Sequence, residues 1–138
     1  MAKNRITDLK IGQYHEKKYC IDEKIGEKFA EISGDYNPIH LDADTAKKSL
    51  FKKKIVHGML IGGYISGIIG NEFPGEGSIY MTQNLSFVKP IFYNEQITIR
   101  IEITNIVLEK KRVYLKTMCF NEQGDILVNG EALIKLDN

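Results

Sequence analysis

The feature that most constrains this chain is residues 55–70, which contain no Asp, Glu, Lys or Arg. The segment is apolar nearly all round a helix and is rich in glycine, at Gly58, Gly62, Gly63, Gly67 and Gly70. Glycine in a helix interior costs up to about 1 kcal/mol relative to alanine, so such a helix needs other elements packed closely around it. We therefore predict a helix over residues 55–73 that the rest of the chain encloses.

The second half of the chain predicts the enclosing element, an antiparallel sheet. Isoleucines alternate with polar residues over residues 97–104, as in a strand with one apolar and one solvated face. Three similar strands are predicted at residues 78–88, 113–120 and 126–136, and the short turns between the four strands favour antiparallel neighbours. A fifth strand, residues 13–20, could join one edge of the sheet. The predicted fold is α+β, one domain over residues 1–138 with its sheet curled around the helix. Its open edges favour a homodimer.

Two shorter helices are predicted upstream of the glycine-rich segment. Apolar residues recur at helical spacing over residues 22–33, at Ile25, Phe29 and Ile32. Gly34 is placed as a left-handed helix stop, and Pro38 then indicates that residues 35–40 form a loop. Asp42 follows as the candidate N-cap of the second helix.

Composition excludes several classes of function. The 19 Lys and Arg residues nearly balance the 18 Asp and Glu residues, so no large field of one sign exists to hold nucleic acid. Residues 55–70 fall short of the roughly 20 that a membrane span needs, and residues 1–10 lack the apolar run of a secretory signal. We expect a cytoplasmic protein without a membrane partner. Cys20 and Cys119 lack metal-ligand spacing and are predicted to be reduced core thiols, with no metal site.

Asp35 and His40 are the first candidates for chemistry, since they lie five residues apart in the predicted loop. A carboxylate and an imidazole that converge on one water can move protons in both directions near neutral pH. In the alternative interpretation, Asp35 makes an Asx turn, Asn37 and Pro38 begin a turn, and His40 merely precedes an N-cap. The spacing alone favours this alternative.

Gly58 offers a second candidate, because the first backbone N–H groups of a helix are unpaired donors at the positive end of its dipole. Such donors suit a developing oxyanion, although close packing would equally explain the glycine. His57 is expected to be a buried, hydrogen-bonded support, and Ser66, about two turns on, could orient a neighbour. Residues 52–54 are three lysines that form either a solvated face or a contact for phosphates.

Taken together, the motifs resemble the MaoC-like (R)-specific enoyl-CoA hydratases. The similarity rests on FAEISGDYNPIHLD at residues 29–42, IVHGML at 55–60, PGEGSIY at 74–80 and LSFVKPI at 85–91. It covers roughly residues 10–136. The resemblance implies a hot-dog fold, a dimer, and reversible syn hydration of a trans-2-enoyl-CoA to an (R)-3-hydroxyacyl-CoA. The implied partner is an acyl-CoA thioester, and no cofactor is needed because coenzyme A is part of the substrate.

The resemblance also implies roles for individual residues. Asp35 and His40 match the catalytic pair that holds and activates water, and the N–H of Gly58 matches the group that receives the thioester oxygen. Three further residues are predicted to support the pair: Asn37, His57 and Ser66. Lys52 departs from the glycine that many relatives carry after the phenylalanine, which affects only the shape of that loop and how the coenzyme lies.

Two other functions compete with the hydratase. Hot-dog domains also serve as acyl-CoA thioesterases, and fold alone does not separate the two activities. Residues 58–70 contain no acidic residue to act as the base or nucleophile of a thioesterase, whereas Asp35 lies beside His40 in the preceding loop. A non-catalytic acyl-CoA binding module would keep the groove without turnover.

Overall fold

The computed structural model describes residues 2–137, which form one antiparallel sheet and a set of helices. The strands are β1 (Tyr14–Cys20), β2 (Ser78–Phe87), β3 (Gln96–Val107), β4 (Arg112–Asn121) and β5 (Ile126–Leu136). The α-helices are α1 (Glu23–Ser33), α2 (Pro38–Leu41), α3 (Ala43–Lys48) and α4 (Gly58–Asn71). Single 3₁₀ turns lie at Ile6–Asp8 and Leu108–Lys110. The predicted α+β class and the order of elements are confirmed; Met1 and Asn138 lie outside the described residues.

The strands are arranged in the order β1-β3-β4-β5-β2, and every neighbouring pair is antiparallel. The prediction that successive strands are neighbours is right for β3–β4 and β4–β5 but wrong for β2 and β3, which are separated by two strands. Residues 88–95 cross between them instead of turning back. Ile91 is buried in the core on this path, and Phe92 forms an isolated bridge with Ile55. Burial of an apolar residue in the connection thus overrides the short turn signal.

The sheet packs against one face of α4, so the prediction of an enclosed helix is confirmed on that face only; Met59, Gly63, Ser66 and Gly67 are exposed. Its buried residues are Ile61, Ile65, Ile68 and Ile69, and they share one core cluster with the inward-facing isoleucines of β3. The helix begins at Gly58 rather than at Ile55, because the three preceding residues are extended. The N–H of Val56 donates to the carbonyl of Ile91 at 2.7 Å, which ties this segment to the crossing connection. The start of α4 is therefore held against residues 88–95.

The upstream helices differ from expectation in two respects. α1 begins after its N-cap Asp22 and ends at Gly34, which has a left-handed φ of 78°, but Ile32 is 86% exposed and not part of the core. The small residue Ala30 fills the buried face instead. Only the first part of the predicted loop is irregular, because Pro38 occupies the first position of α2 and there needs no hydrogen-bond donor. Asp42 caps α3 as predicted, accepting from the N–H of Thr45.

The two cysteines have different environments. Cys119 is buried on β4, and burial raises the pKa of its thiol to about 12. Cys20 is exposed at the end of edge strand β1, so the prediction of a core thiol is wrong there. Along residues 2–137, no helix is both long and apolar enough to cross a membrane.

Candidate active site

A pocket of about 280 Å³ opens at the N-terminal end of α4. One wall comes from the loop after α1 and from α2, a second from the segment that leads into α4, and a third from the end of β2 and the crossing connection. Asp35, His40, His57 and Gly58 all line it. The structure therefore brings together residues that lie up to 23 positions apart in the sequence.

Short-range hydrogen bonds shape the loop that carries Asp35. The N–H of Asp35 donates to Ser33 Oγ at 3.1 Å, and Asp35 Oδ1 accepts from the N–H of Asn37 at 3.1 Å. Asn37 in turn caps α2, because its Oδ1 accepts from the N–H of Ile39 at 3.3 Å. Asp35 thus makes the Asx turn of the alternative interpretation, and the same residue lines the pocket. Asn37 therefore acts through a local hydrogen bond at the start of α2 and does not line the pocket.

His40 has one ring nitrogen committed to the fold. Its Nδ1 lies 2.8 Å from the carbonyl oxygen of Ile55, which can only accept, so Nδ1 carries the proton. In the neutral ring, Nε2 then has no hydrogen and carries a lone pair. Burial lowers the pKa of His40, and His57 lowers it further, whereas the Ile55 bond and the charge of Asp35 raise it. Because the net effect lowers the pKa of His40, its ring stays neutral at lower pH than an ordinary histidine. Nε2 therefore stays available there as a hydrogen-bond and proton acceptor.

His57 lies behind the pair and is 1% exposed. Its ring stacks on the ring of His40 with centroids 3.9 Å apart and planes 24° apart. Its Nε2 lies 3.0 Å from the main-chain oxygen of Asp35, and Phe29 contacts the ring edge-on at 4.9 Å between centroids. The expectation of a buried, hydrogen-bonded histidine agrees with these contacts.

Gly58 is the first residue of α4, so its N–H has no acceptor one turn back in the helix. A Cβ at this position would lie 2.7 Å from two ring carbons of Phe87. The absence of a side chain therefore lets the Phe87 ring cover the start of the helix. What remains at this end of the pocket is a backbone donor at the positive end of the helix dipole, which suits an oxyanion.

One nitrogen or oxygen atom from each of Asp35, His40 and His57 lies within 4.8 Å of the other two, a grouping that could hold a metal ion. One nitrogen of each ring is already hydrogen-bonded to a main-chain carbonyl, Nδ1 of His40 to that of Ile55 and Nε2 of His57 to that of Asp35. Each ring therefore has one other nitrogen that could bind an ion.

Two predicted elements lie away from the pocket. Ser66 is exposed on α4 and does not line the pocket, since eight residues advance the helix by about 12 Å and leave the side chain roughly 80° from Gly58. None of the three lysines lines the pocket either: Lys54 pairs with Glu23, and Lys53 lies 4.3 Å from the centroid of the Phe92 ring. Lys52 is exposed with a left-handed φ of 67°, a conformation in which glycine is unstrained.

Several residues that shape the site were not singled out from the sequence. Phe87 and Lys89 line the pocket from the far wall, and the carbonyl of Ile55 sets the tautomer of His40. Tyr93 donates its hydroxyl hydrogen to the carbonyl of His40 at 3.0 Å. The motif at residues 85–91 was a signal for the far wall, but nothing local in it indicates contact with the start of α4.

The chain is similar to a known protein family, to characterised relatives and to a solved structure. A family model described as a MaoC like domain matches residues 7–121. An (R)-specific enoyl-CoA hydratase of Aeromonas caviae is 43% identical over 108 residues, which are 78% of this chain and 81% of that protein. One of Rhodospirillum rubrum is 38% identical over 127 residues, covering 92% and 88%. The unliganded structure of an (R)-hydratase from Pseudomonas aeruginosa matches with a TM-score of 0.91 at 38% identity, covering 96% of this chain and 85% of that one.

Proposed function

This chain belongs to the MaoC-like family, and from that premise we propose that it is an (R)-specific enoyl-CoA hydratase. The reaction is the reversible syn addition of water to a trans-2-enoyl-CoA, which yields an (R)-3-hydroxyacyl-CoA. The observation that carries the proposal is the convergence of the Asp35 carboxylate, the His40 ring and the Gly58 N–H on one pocket. Hydration needs a group that accepts a proton from water, a group that orients the water, and a hydrogen-bond donor that stabilises the negative charge of the enolate.

Each of these tasks has a group suited to it. The Asp35 carboxylate takes a proton from water as the hydroxyl oxygen bonds to C3 of the enoyl group. His40 orients that water by accepting a hydrogen bond at its Nε2 lone pair, and the proton held by Asp35 then passes to C2, which restores the carboxylate. Between the two steps, negative charge collects on the thioester oxygen, and the Gly58 N–H stabilises it. No cofactor takes part in this scheme, because coenzyme A is a portion of the substrate.

Asn37 and His57 are proposed as supporting residues; the Asn37 cap of α2 and the hydrogen bond and stacking of His57 support this proposal. Ser66 is proposed as a supporting residue on the strength of its motif position alone. Its exposed place on α4 is a face that a second copy of the chain could cover. Lys89, at the pocket wall, is the cation best placed to meet a substrate phosphate.

We propose a homodimer, with β2 at its centre. This edge strand has no charged residue and leaves Ile79, Met81 and Phe87 exposed, so pairing with the same strand of a second copy would extend the sheet and bury them. The opposite edge, β1, carries Glu16, Lys17 and Lys18. Light scattering should give twice the chain mass, and Met81→Lys should give the monomer mass. We propose a cytoplasmic location for this dimer.

The test of the reaction uses purified protein and crotonyl-CoA. Hydration removes the ultraviolet absorbance of the conjugated thioester without releasing thiol, and chiral analysis should identify the (R)-3-hydroxy product. Release of free thiol would identify a thioesterase instead. A folded protein that changes neither crotonyl-CoA nor longer enoyl-CoAs would contradict the enzymatic proposal and indicate a binding module.

A further inference from the structure

His57 contacts both members of the proposed catalytic pair and precedes the proposed oxyanion donor. Its Nε2 lies 3.0 Å from the main-chain oxygen of Asp35, and its ring face stacks on His40 at 3.9 Å between centroids. It is also the N-cap residue of α4, directly before Gly58, although its side chain makes no cap hydrogen bond. One residue therefore connects three groups from two distant segments: its side chain contacts Asp35 and His40, and its backbone leads directly into Gly58.

The hydrogen-bond partners of His57 determine its tautomer. The Asp35 carbonyl only accepts, so Nε2 carries the proton, and Nδ1 of the neutral ring is a lone pair. This Nδ1 is buried and has no hydrogen-bond partner among the described residues. A buried acceptor without a partner destabilises the fold, and a phenyl ring would fill the same space without it. Packing alone does not explain a histidine here, but its Nε2–H donor does.

We propose that His57 is the positioning residue of this site: it holds the Asp35 backbone by its Nε2–H and the His40 ring by stacking, in register with the Gly58 N–H. The inference rests on the proposed hydratase function. Both main-chain groups of Asp35 are then tied down, its N–H to Ser33 Oγ and its carbonyl to His57. The exposed loop keeps a fixed place relative to α4 because its carbonyl is bound to a buried group.

The kinetic test compares His57→Phe with His57→Gln. Phe keeps a ring against His40 but removes the donor to Asp35, whereas Gln keeps an N–H donor at a similar distance and removes the ring. We expect His57→Phe to unfold at the wild-type temperature or above and to lose roughly 100-fold in kcat, with KM changed less than about two-fold. His57→Gln should recover at least several-fold of that loss.

The control is Thr117→Val, which removes another fully buried polar group and its 2.9 Å bond to Gln83, outside the pocket. It should lower the melting temperature and leave kcat within about two-fold, which separates loss of stability from loss of position. Wild-type kcat in His57→Phe would overturn the proposal. So would a His57→Gln variant no more active than His57→Phe.

A second measurement holds even if a variant fails to fold or if the chain hydrates no enoyl thioester. The sequence has 3 histidines, so ring-nitrogen NMR spectra of the wild-type protein can be assigned with two variants, His15→Asn and His40→Gln. We expect opposite tautomers for the two stacked rings, Nε2–H for His57 and Nδ1–H for His40. An Nδ1–H tautomer at His57 would overturn the proposal whatever the activity. Absence of hydration together with the expected tautomers would count against the reaction alone.

Discussion

The two sides of the pocket are built by different means. The loop with Asp35 and Asn37 is exposed and takes its shape from hydrogen bonds between residues two to four apart. The start of α4, with His57 and Gly58, is largely buried and is held by contacts to residues 17 or more positions away. The group proposed to take a proton from water thus lies on an accessible, locally folded loop. The groups proposed to stabilise charge or to position the pair lie on the tertiary core.

The largest effect on activity is expected from Asp35→Asn, on the exposed side of the pocket. The amide keeps an Oδ1 acceptor for the Asn37 N–H, so the loop should fold, but it cannot take a proton from water. We expect kcat/KM for crotonyl-CoA to fall by about 10² to 10⁴ with an unchanged melting temperature. Asp44→Asn, an exposed change on α3, is the matched control. Retention of more than a tenth of the activity would contradict a proton-transfer role for Asp35.

Gly58→Ala tests the buried side of the pocket, because it changes the geometry there without removing any reactive side chain. Because its Cβ would lie 2.7 Å from Phe87, either the ring or the start of α4 must move. We expect a loss of roughly 10- to 100-fold in kcat, since small displacements of a donor are costly. Measured beside it, Gly70→Ala meets nothing within 4 Å and should leave kcat within two-fold and stability equal or higher. Equal effects of the two substitutions would remove the special role of Gly58.

The pH dependence of kcat/KM sharpens the comparison at His40, which lies between the two sides. Burial lowers the pKa of His40 below its usual value of about 6.5, so the neutral ring with its free Nε2 persists into mildly acidic solution. Activity should therefore fall with acidification, and the midpoint that His40 contributes should lie below pH 6.5. A limb with its midpoint above that pH, absent from His40→Gln, would contradict this assignment.

The smallest effect is expected at Asn37, which caps α2 and does not line the pocket. Asn37→Ala removes the side-chain acceptor for the Ile39 N–H at the start of α2 and should lower the free energy of unfolding by about 1 kcal/mol in urea titration. The decrease in kcat should be smaller than for Gly58→Ala. Asn37→Ser, which keeps a capping oxygen, should recover most of the stability. A larger kcat loss than at Gly58 would show that the loop depends on more than its local bonds.

Much of the local structure was predictable from the sequence. The alternating isoleucines of β3, the N-caps Asp22 and Asp42, and the stop at Gly34 depend on neighbours a few residues away. The motif positions of Asp35 and His40 likewise indicated the site. Even the departure at Lys52 has a local meaning, since the left-handed backbone there is the one that glycine adopts without strain.

Only the tertiary structure decided which distant segments meet. Nothing near β2 in the sequence places two strands between it and β3, because the burial of Ile91 in the connection is a property of the whole core. The tautomer of His40 depends on the Ile55 carbonyl, and the place of Asp35 depends on the ring of His57. The sequence determined which chemical groups are present and which short turns carry them. Their mutual distances follow from long-range packing around α4, which no local pattern encodes.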